Sequence, residues 1–387
     1  MRRLNLDGGE WISKEVFHLM SLCLSSGVVC PELRDLDLQV DYNTLHFHRL
    51  LLSPRLTRLS LRFSTSPESS ETDLSMLKSV VMELGALPLQ YLYLRWWFPG
   101  EASREIESVT SSAVLQCGPT LESLSTFLPL SDTAVQHIMQ LPNLRVLSMA
   151  SRPPRAPSLS LHNIFPRLEY LSLGEEGSLE WLTFFTTTMR RTSSEQSSHP
   201  SLKHGPVARL INLLVNPRVI IDTAFISPIV LFRELAFLKL TSACSPMGGC
   251  AFSLTDDNVA EIATALPRLE HAVLGRVCSA NSCQTTVASL VSFSTQCKGL
   301  EFLGIHFNTA NLRNDLDSVS ADPRFGGLPT PRTFGDFHLS LAGAPYKIGK
   351  DDVIPVLRGF RRIFPSLANI SGNSASWKEL NQRLPEM

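Results

Sequence analysis

Four cysteines come closest, by residue type and spacing, to a group that could do chemistry. Cys244 pairs with Cys250 across five intervening residues, and Cys278 with Cys283 across four. Two such thiol pairs brought together could form a tetrahedral zinc site or a redox pair. These spacings are wider than the usual zinc-binding pattern, and cysteine is ordinary filler in a packed core, so no metal is expected. His46 and His48 have no acidic or cysteine partner nearby and predict no metal site either. The chain contains no G-x-x-x-x-G-K-[ST] phosphate loop, no H-E-x-x-H, no G-x-S-x-G and no G-x-G-x-x-G. The expectation is a protein without cofactor or catalytic residues.

What remains is the chemistry of recognition. Arg34, Arg58, Arg62, Arg95 and Arg145 gather in the N-terminal half, and Tyr91, Tyr93, Tyr170, Phe237 and Phe302 are spread along the chain. Arginines and aromatics are the types that dominate binding hot spots. Aromatics also suit strands on packing grounds alone. Arg95-Trp96-Trp97-Phe98 puts three aromatics in a row. In a strand they alternate faces, so they either plug the core in part or offer an exposed anchor.

The elements that position these residues come from a repeat. Leucine accounts for 61 of 387 residues, and it recurs in the phrase L-x-x-L-x-L. Copies begin at Leu33, Leu56, Leu89, Leu144, Leu168, Leu235 and Leu300, with weaker ones at Met1, Leu121, Leu269, Phe334 and Leu367. Their spacings run from 23 to 34 residues, except for one gap of 67. That gap places a degraded copy near Leu202. Apolar residues at spacings of three and two make a short strand with one buried face, and helical periodicity fills the intervals, as in Val259 to Leu266. One strand and one helix cannot bury their apolar faces alone, whereas stacked neighbours can. The fold expected is an α/β leucine-rich repeat solenoid over 1–387: a horseshoe with one curved parallel sheet and helices on the convex side, of about a dozen repeats. In it the third position of each phrase faces the concave surface: Asp35, Arg58, Tyr91, Ser123, Val146, Tyr170, His204, Phe237, His271, Phe302 and Asp336. Segments 186–200 and 308–331 interrupt the pattern and read as irregular insertions; the Ser/Thr-rich first one is a candidate for phosphorylation.

Composition narrows the class further. Thirty-five basic and 36 acidic residues leave a net charge of −1, so no pull toward nucleic acid or an anionic membrane is expected. The most apolar stretch, Leu210 to Phe232, is broken by Asn212, Pro217, Arg218, Asp222 and Pro228, which argues against a membrane span. Eight cysteines without a secretion signal read as reduced thiols of a cytoplasmic or nuclear protein.

One repeat carries more than a leucine pattern. Leu254-Thr-Asp-Asp-Asn-Val-Ala-Glu-Ile-Ala-Thr-Ala-Leu-Pro-Arg-Leu269, continuing to Cys278, resembles the cysteine-containing leucine-rich repeat, and Leu130-Ser-Asp through Met149 is a second copy. Both have leucine where that pattern has cysteine before proline. Ser131/Asp132 and Thr255/Asp256 supply N-cap side chains for the helices that follow. This repeat type is typical of F-box proteins, the substrate receptors of SCF ubiquitin ligases, and the longer spacings look like fungal members. The resemblance implies a receptor that holds a target protein on its concave face, as a monomer, and meets the SCF adaptor subunit through an F-box. Here the sequence opens inside a repeat strand, so the expectation is an F-box lost or truncated. A scaffold unrelated to ubiquitin, or a repeat-decorated enzyme, would fit the same pattern.

Overall fold

The computed structural model describes residues 2–6, 14–23, 28–40, 50–64, 78–79, 82–97, 104–154, 164–174, 178–185, 187, 210, 212–215, 221–241, 252–275, 284–305, 308–321, 337–341, 352–372 and 375–386. It divides into two compact units, Met1–Trp181 with Thr188–Val207, and Leu182–Thr187 with Ala208–Met387. Strand order follows chain order in both.

The first unit carries β1 (Arg3–Leu6), β2 (Asp35–Val40), β3 (Arg58–Ser64), β4 (Tyr91–Trp97), β5 (Ser123–Thr126), β6 (Val146–Met149) and β7 (Tyr170–Leu173), each parallel to its neighbour. The second carries β8 (Asn212–Val215), β9 (Phe237–Leu240), β10 (His271–Leu274), β11 (Phe302–Ile305), β12 (Phe337–Leu341) and β13 (Leu367–Gly372), again all parallel. Helices return the chain between strands, among them Arg104–Gln116, Asp132–Gln140, Asp256–Ala265, Val287–Gln296, Leu312–Ala321 and Val353–Ile363. This is an α/β leucine-rich repeat solenoid.

The leucine phrase explains the geometry. Its second position is buried from β2 onward, as with Leu36, Leu59, Leu92, Leu124, Leu147 and Leu171 in one unit and Leu213, Leu238 and Leu303 in the other. Alternation then leaves the intervening residues on the opposite, open face. The lead leucine closes a tight turn: Leu33, Leu56, Leu144, Leu235, Leu269, Leu300 and Leu367 each donate their backbone N–H to the carbonyl three residues earlier. The residue after the lead leucine joins one repeat to the next, because its carbonyl accepts two consecutive N–H groups. Thus Arg34 O takes Thr57 and Arg58, Glu122 O takes Arg145 and Val146, and Glu270 O takes Glu301 and Phe302. These repeats therefore enter their strands in the same register, whereas β12 and β13 pair with a shift between Phe337 and His338.

Helix starts are capped as the sequence indicates. Ser131 accepts from the Ala134 N–H, and Thr255 forms a reciprocal capping box with Asn258. Asp256, read above as a cap for its own helix, instead reaches the next repeat. There its carboxylate accepts from the Thr286 N–H and hydroxyl, both at 2.7 Å.

Three other expectations are corrected. The copy expected near Leu202 falls on a residue outside the described set, and the strand found before β9 begins ten residues later. Its phrase is Leu210-Ile-Asn-Leu213-Leu-Val215, and it pairs Asn212 with Phe237. Interval arithmetic misplaced it because insertions of unequal length separate the repeats. The weak phrase at Phe334 is also shifted by two residues: Phe302 pairs with His338, which takes the face position assigned above to Asp336. Within the supposed insertion at 308–331, Leu312–Ala321 forms a helix that buries Leu312 and Leu316, so its polar residues line a solvated face. Residues 322–331 lie outside the described set.

Candidate protein-binding surface

Register turns the open strand face into rows of neighbouring side chains. In the first unit one row runs Arg3, Asp35, Arg58, Tyr91, Ser123, Val146, Tyr170, each residue opposite the next. A second runs Asn5, Asp37, Ser60, Tyr93, Ser125, Ser148, Ser172, and a shorter third holds Gln39, Arg62 and Arg95. Residues far apart in sequence thereby become a single surface.

The charged members of these rows are held in place. The Asp35 carboxylate lies between Arg3 and Arg58, at 3.6 and 3.7 Å. The Arg58 guanidinium sits over the Tyr91 ring, 4.8 Å from its centroid. Arg62 grips Asp37 through Nη2 and Nε, at 2.8 and 3.3 Å, in a two-pronged contact. Burial pushes the Tyr91 hydroxyl above its ordinary range, against the pull of Arg58, so the phenol stays protonated and can donate. Fixed guanidiniums beside half-buried tyrosines lose little side-chain freedom when a partner arrives, which favours binding.

Not every arginine predicted for this surface lies on it. Arg34 and Arg145 stand one residue before their strands, where their carbonyls carry the inter-repeat ladder. Arg145 bonds Glu169 at 2.7 Å along that strand-entry edge. Trp96 and Trp97 lie in β4, with Trp96 in register with Phe63. Cys244, Cys250, Cys278, Cys283, His46, His48 and His204 lie outside the described residues. No group of three or more metal-ligating side chains occurs among the described residues.

In the second unit the corresponding row is Asn212, Phe237, His271, Phe302, His338, Asn369. The His271 ring lies 6.0 Å from Phe237 and 6.2 Å from Phe302, and its Nε2 is 3.8 Å from the Glu301 carboxylate. Phe237, His271 and Phe302 lie where the leucine phrase places them, whereas His338 and Asn212 belong to phrases offset from the expected interval.

Two features lie away from the strand face. An open groove of about 860 Å³ runs beside the helix Asp256–Ala265, lined by Leu231, Ala260, Thr264 and Pro267, with the Arg268–Glu234 pair on its rim. The helix Lys14–Cys23 exposes Val16, Leu19 and Leu22, spaced as one stripe. No helix among the described residues is long and apolar enough to cross a membrane.

No family model matches the chain, and no curated protein matches it. Among solved structures, the chain is similar to a chain of the yeast complex of Rad7 and Elc1. The identity is 15% and the TM-score 0.43, with 96% of this chain and 75% of that one covered.

Proposed function

We propose that this protein is a recognition module whose open strand face holds a target protein, and that it serves as the substrate-receptor part of an SCF-type ubiquitin ligase. The observation that carries the recognition half is the Asp35–Arg58–Tyr91 array with its neighbour Arg62–Asp37: hot-spot residue types, aligned by register and fixed by mutual contacts. The ligase half rests on the resemblance of the Leu254-to-Cys278 and Leu130-to-Met149 repeats to those of F-box receptors. Cys297, three residues before its lead leucine, adds a cysteine at the position where those two repeats carry leucine. A receptor of this kind acts by holding its target near a transferring enzyme, so it needs affinity and orientation but no catalytic residue.

The test is affinity purification from the native host with the chromosomal gene tagged, which retains any upstream segment. The SCF adaptor and cullin should co-purify together with a target protein. Tyr91→Ala and Arg58→Ala should lose the target while keeping the adaptor. A retained target without adaptor or cullin would retire the ligase reading in favour of a scaffold. A target indifferent to both substitutions would retire the surface.

A further inference from the structure

Charge on the open face of β1–β7 is confined to one end. In register, β1–β4 carry Arg3, Arg58, Arg62 and Arg95 against Asp35 and Asp37, whereas the face rows of β5–β7 hold only serine, valine and tyrosine. Four guanidiniums against two carboxylates leave this end positive, although the whole chain has a net charge of −1. Arg58 is held there without spending its donors. Its guanidinium lies on the Tyr91 ring, and its Nε stands 3.7 Å from Asp35, beyond hydrogen-bond reach. Among the described residues its N–H groups donate no hydrogen bond, and the adjacent Tyr91 and Tyr93 hydroxyls donate none either. Register sets Ser123 beside Tyr91 and Ser125 beside Tyr93, which adds two hydroxyls and no carboxylate. Strands stand ~4.8 Å apart, so β3–β5 present these donors within a patch ~10 Å wide.

We infer that this patch binds an acidic segment of the target protein, with one Asp or Glu carboxylate seated on the Arg58 guanidinium and flanked by the Tyr91 and Tyr93 hydroxyls. The inference deepens the recognition reading above and rests on it. A guanidinium offers paired N–H donors that match the two oxygens of a carboxylate, and such bonds are about twice as strong as neutral ones. Tyr91 holds the guanidinium by its face, which leaves the N–H edge for a ligand. Charge decides which anion. Asp35 offsets part of the Arg58 charge, and it repels a phosphate dianion about twice as strongly as a carboxylate. Nucleic acid, with a phosphate at every nucleotide, calls for more cations than this end supplies. Arg62 and Arg95, in register with each other ~13 Å further along their strands, extend the positive field over neighbouring acidic residues of the same segment.

A fluorescein-labelled hexaglutamate flanked by Gly-Ser is titrated against the full chain by fluorescence anisotropy at low salt. Saturable binding is expected, weakened about tenfold by Arg58→Ala. Tyr91→Phe, which removes the hydroxyl and keeps the ring under the guanidinium, should weaken it about threefold or more. Arg58→Lys keeps the charge but loses the paired donors, and should not restore full affinity. Circular dichroism and melting are expected unchanged in each variant, and a Gly-Ser peptide of equal length should not bind. Absence of hexaglutamate binding, or binding indifferent to both Arg58→Ala and Tyr91→Phe, would overturn the inference. Tighter, Arg58-dependent binding of a phosphoserine peptide or an oligothymidylate of equal net charge would overturn it too, by assigning the patch to phosphate. If hexaglutamate fails while Tyr91→Ala and Arg58→Ala still release the native target, only this inference falls. If neither variant releases the target, the recognition surface falls with it.

Discussion

The carboxylate of Asp256, in the first turn of one helix, caps the next helix by accepting both the backbone N–H and the hydroxyl of Thr286. Ser289, fully buried, adds a third bond to the same carboxylate at 2.5 Å. One residue thus ties two repeats together at the end where helix donors are otherwise unpaired. Asp256→Ala leaves a helix-start N–H and a buried hydroxyl without this partner and should cost about 2–3 kcal/mol, read as a lower urea midpoint. Asp256→Asn keeps an acceptor for the N–H but loses the one for the hydroxyl, and should cost about 1 kcal/mol. The Asp315 carboxyl provides a second readout. It is held above its usual range by burial first and by the Asp256 charge second. Its NMR titration should therefore move down in both variants; an unmoved titration would show that the two carboxylates do not interact.

Gly359 sits inside the helix Val353–Ile363, where glycine normally costs stability. A Cβ there would stand 2.9 Å from Leu316 Cβ and 3.0 Å from its Cδ2, on the neighbouring helix Leu312–Ala321. Propensity favours Gly359→Ala by about 1 kcal/mol, but overpacking opposes it by about 1–3 kcal/mol. The clash should win, for a net loss of about 1 kcal/mol. In a Leu316→Gly background, which also lacks the Cβ, the clash is gone, and the same substitution should become stabilising. Chemical denaturation of the four proteins checks the change of sign. If Gly359→Ala stabilises the parent chain, the helices do not approach this closely.

The division between what was legible in the sequence and what was not follows a physical line. Strand positions such as Leu144-x-x-Leu147-x-Met149 could be read directly, because burying one face of a short strand constrains residue type at every other position. β8 escaped because Leu210, Leu213 and Val215 lie in a run where almost every residue is apolar, which hides the alternation. The pairing of Arg62 with Asp37 escaped for another reason: it depends on which residues the register sets side by side across a connection of variable length. The helix Leu312–Ala321 reads as a loop because its apolar contribution is small among Asn, Asp and Ser.

Burial pushes the Cys117 and Cys297 thiols up to about 12. The Cys297 Sγ also donates to the carbonyls of Ala263 and Leu266, at 3.6 and 3.5 Å, where the preceding helix ends. At pH 8 the thiolate fraction at such a site is about one part in ten thousand, too little for alkylation without opening. Pulse labelling with N-ethylmaleimide followed by mass spectrometry should modify exposed Cys23 within minutes and leave both buried thiols until the chain unfolds. Early modification of Cys297 would mean that its repeat opens locally.

Arg62 and Asp37 form a two-pronged pair with side chains 32% and 24% exposed, which is more sheltered than most surface ion pairs. Register also places Arg62 directly opposite Arg95, and like charges at that spacing repel. The two truncations should therefore be unequal. Asp37→Ala removes the attraction and leaves the repulsion, whereas Arg62→Ala removes both. A double-mutant cycle should give a coupling of about 1 kcal/mol, with Asp37→Ala the more destabilising single variant. Because salt screens exposed charges, 1 M NaCl should shrink the repulsive part and narrow the difference between the two singles. Urea titrations at low and high salt provide both numbers, and equal costs at low salt would show that Arg95 does not press on Arg62.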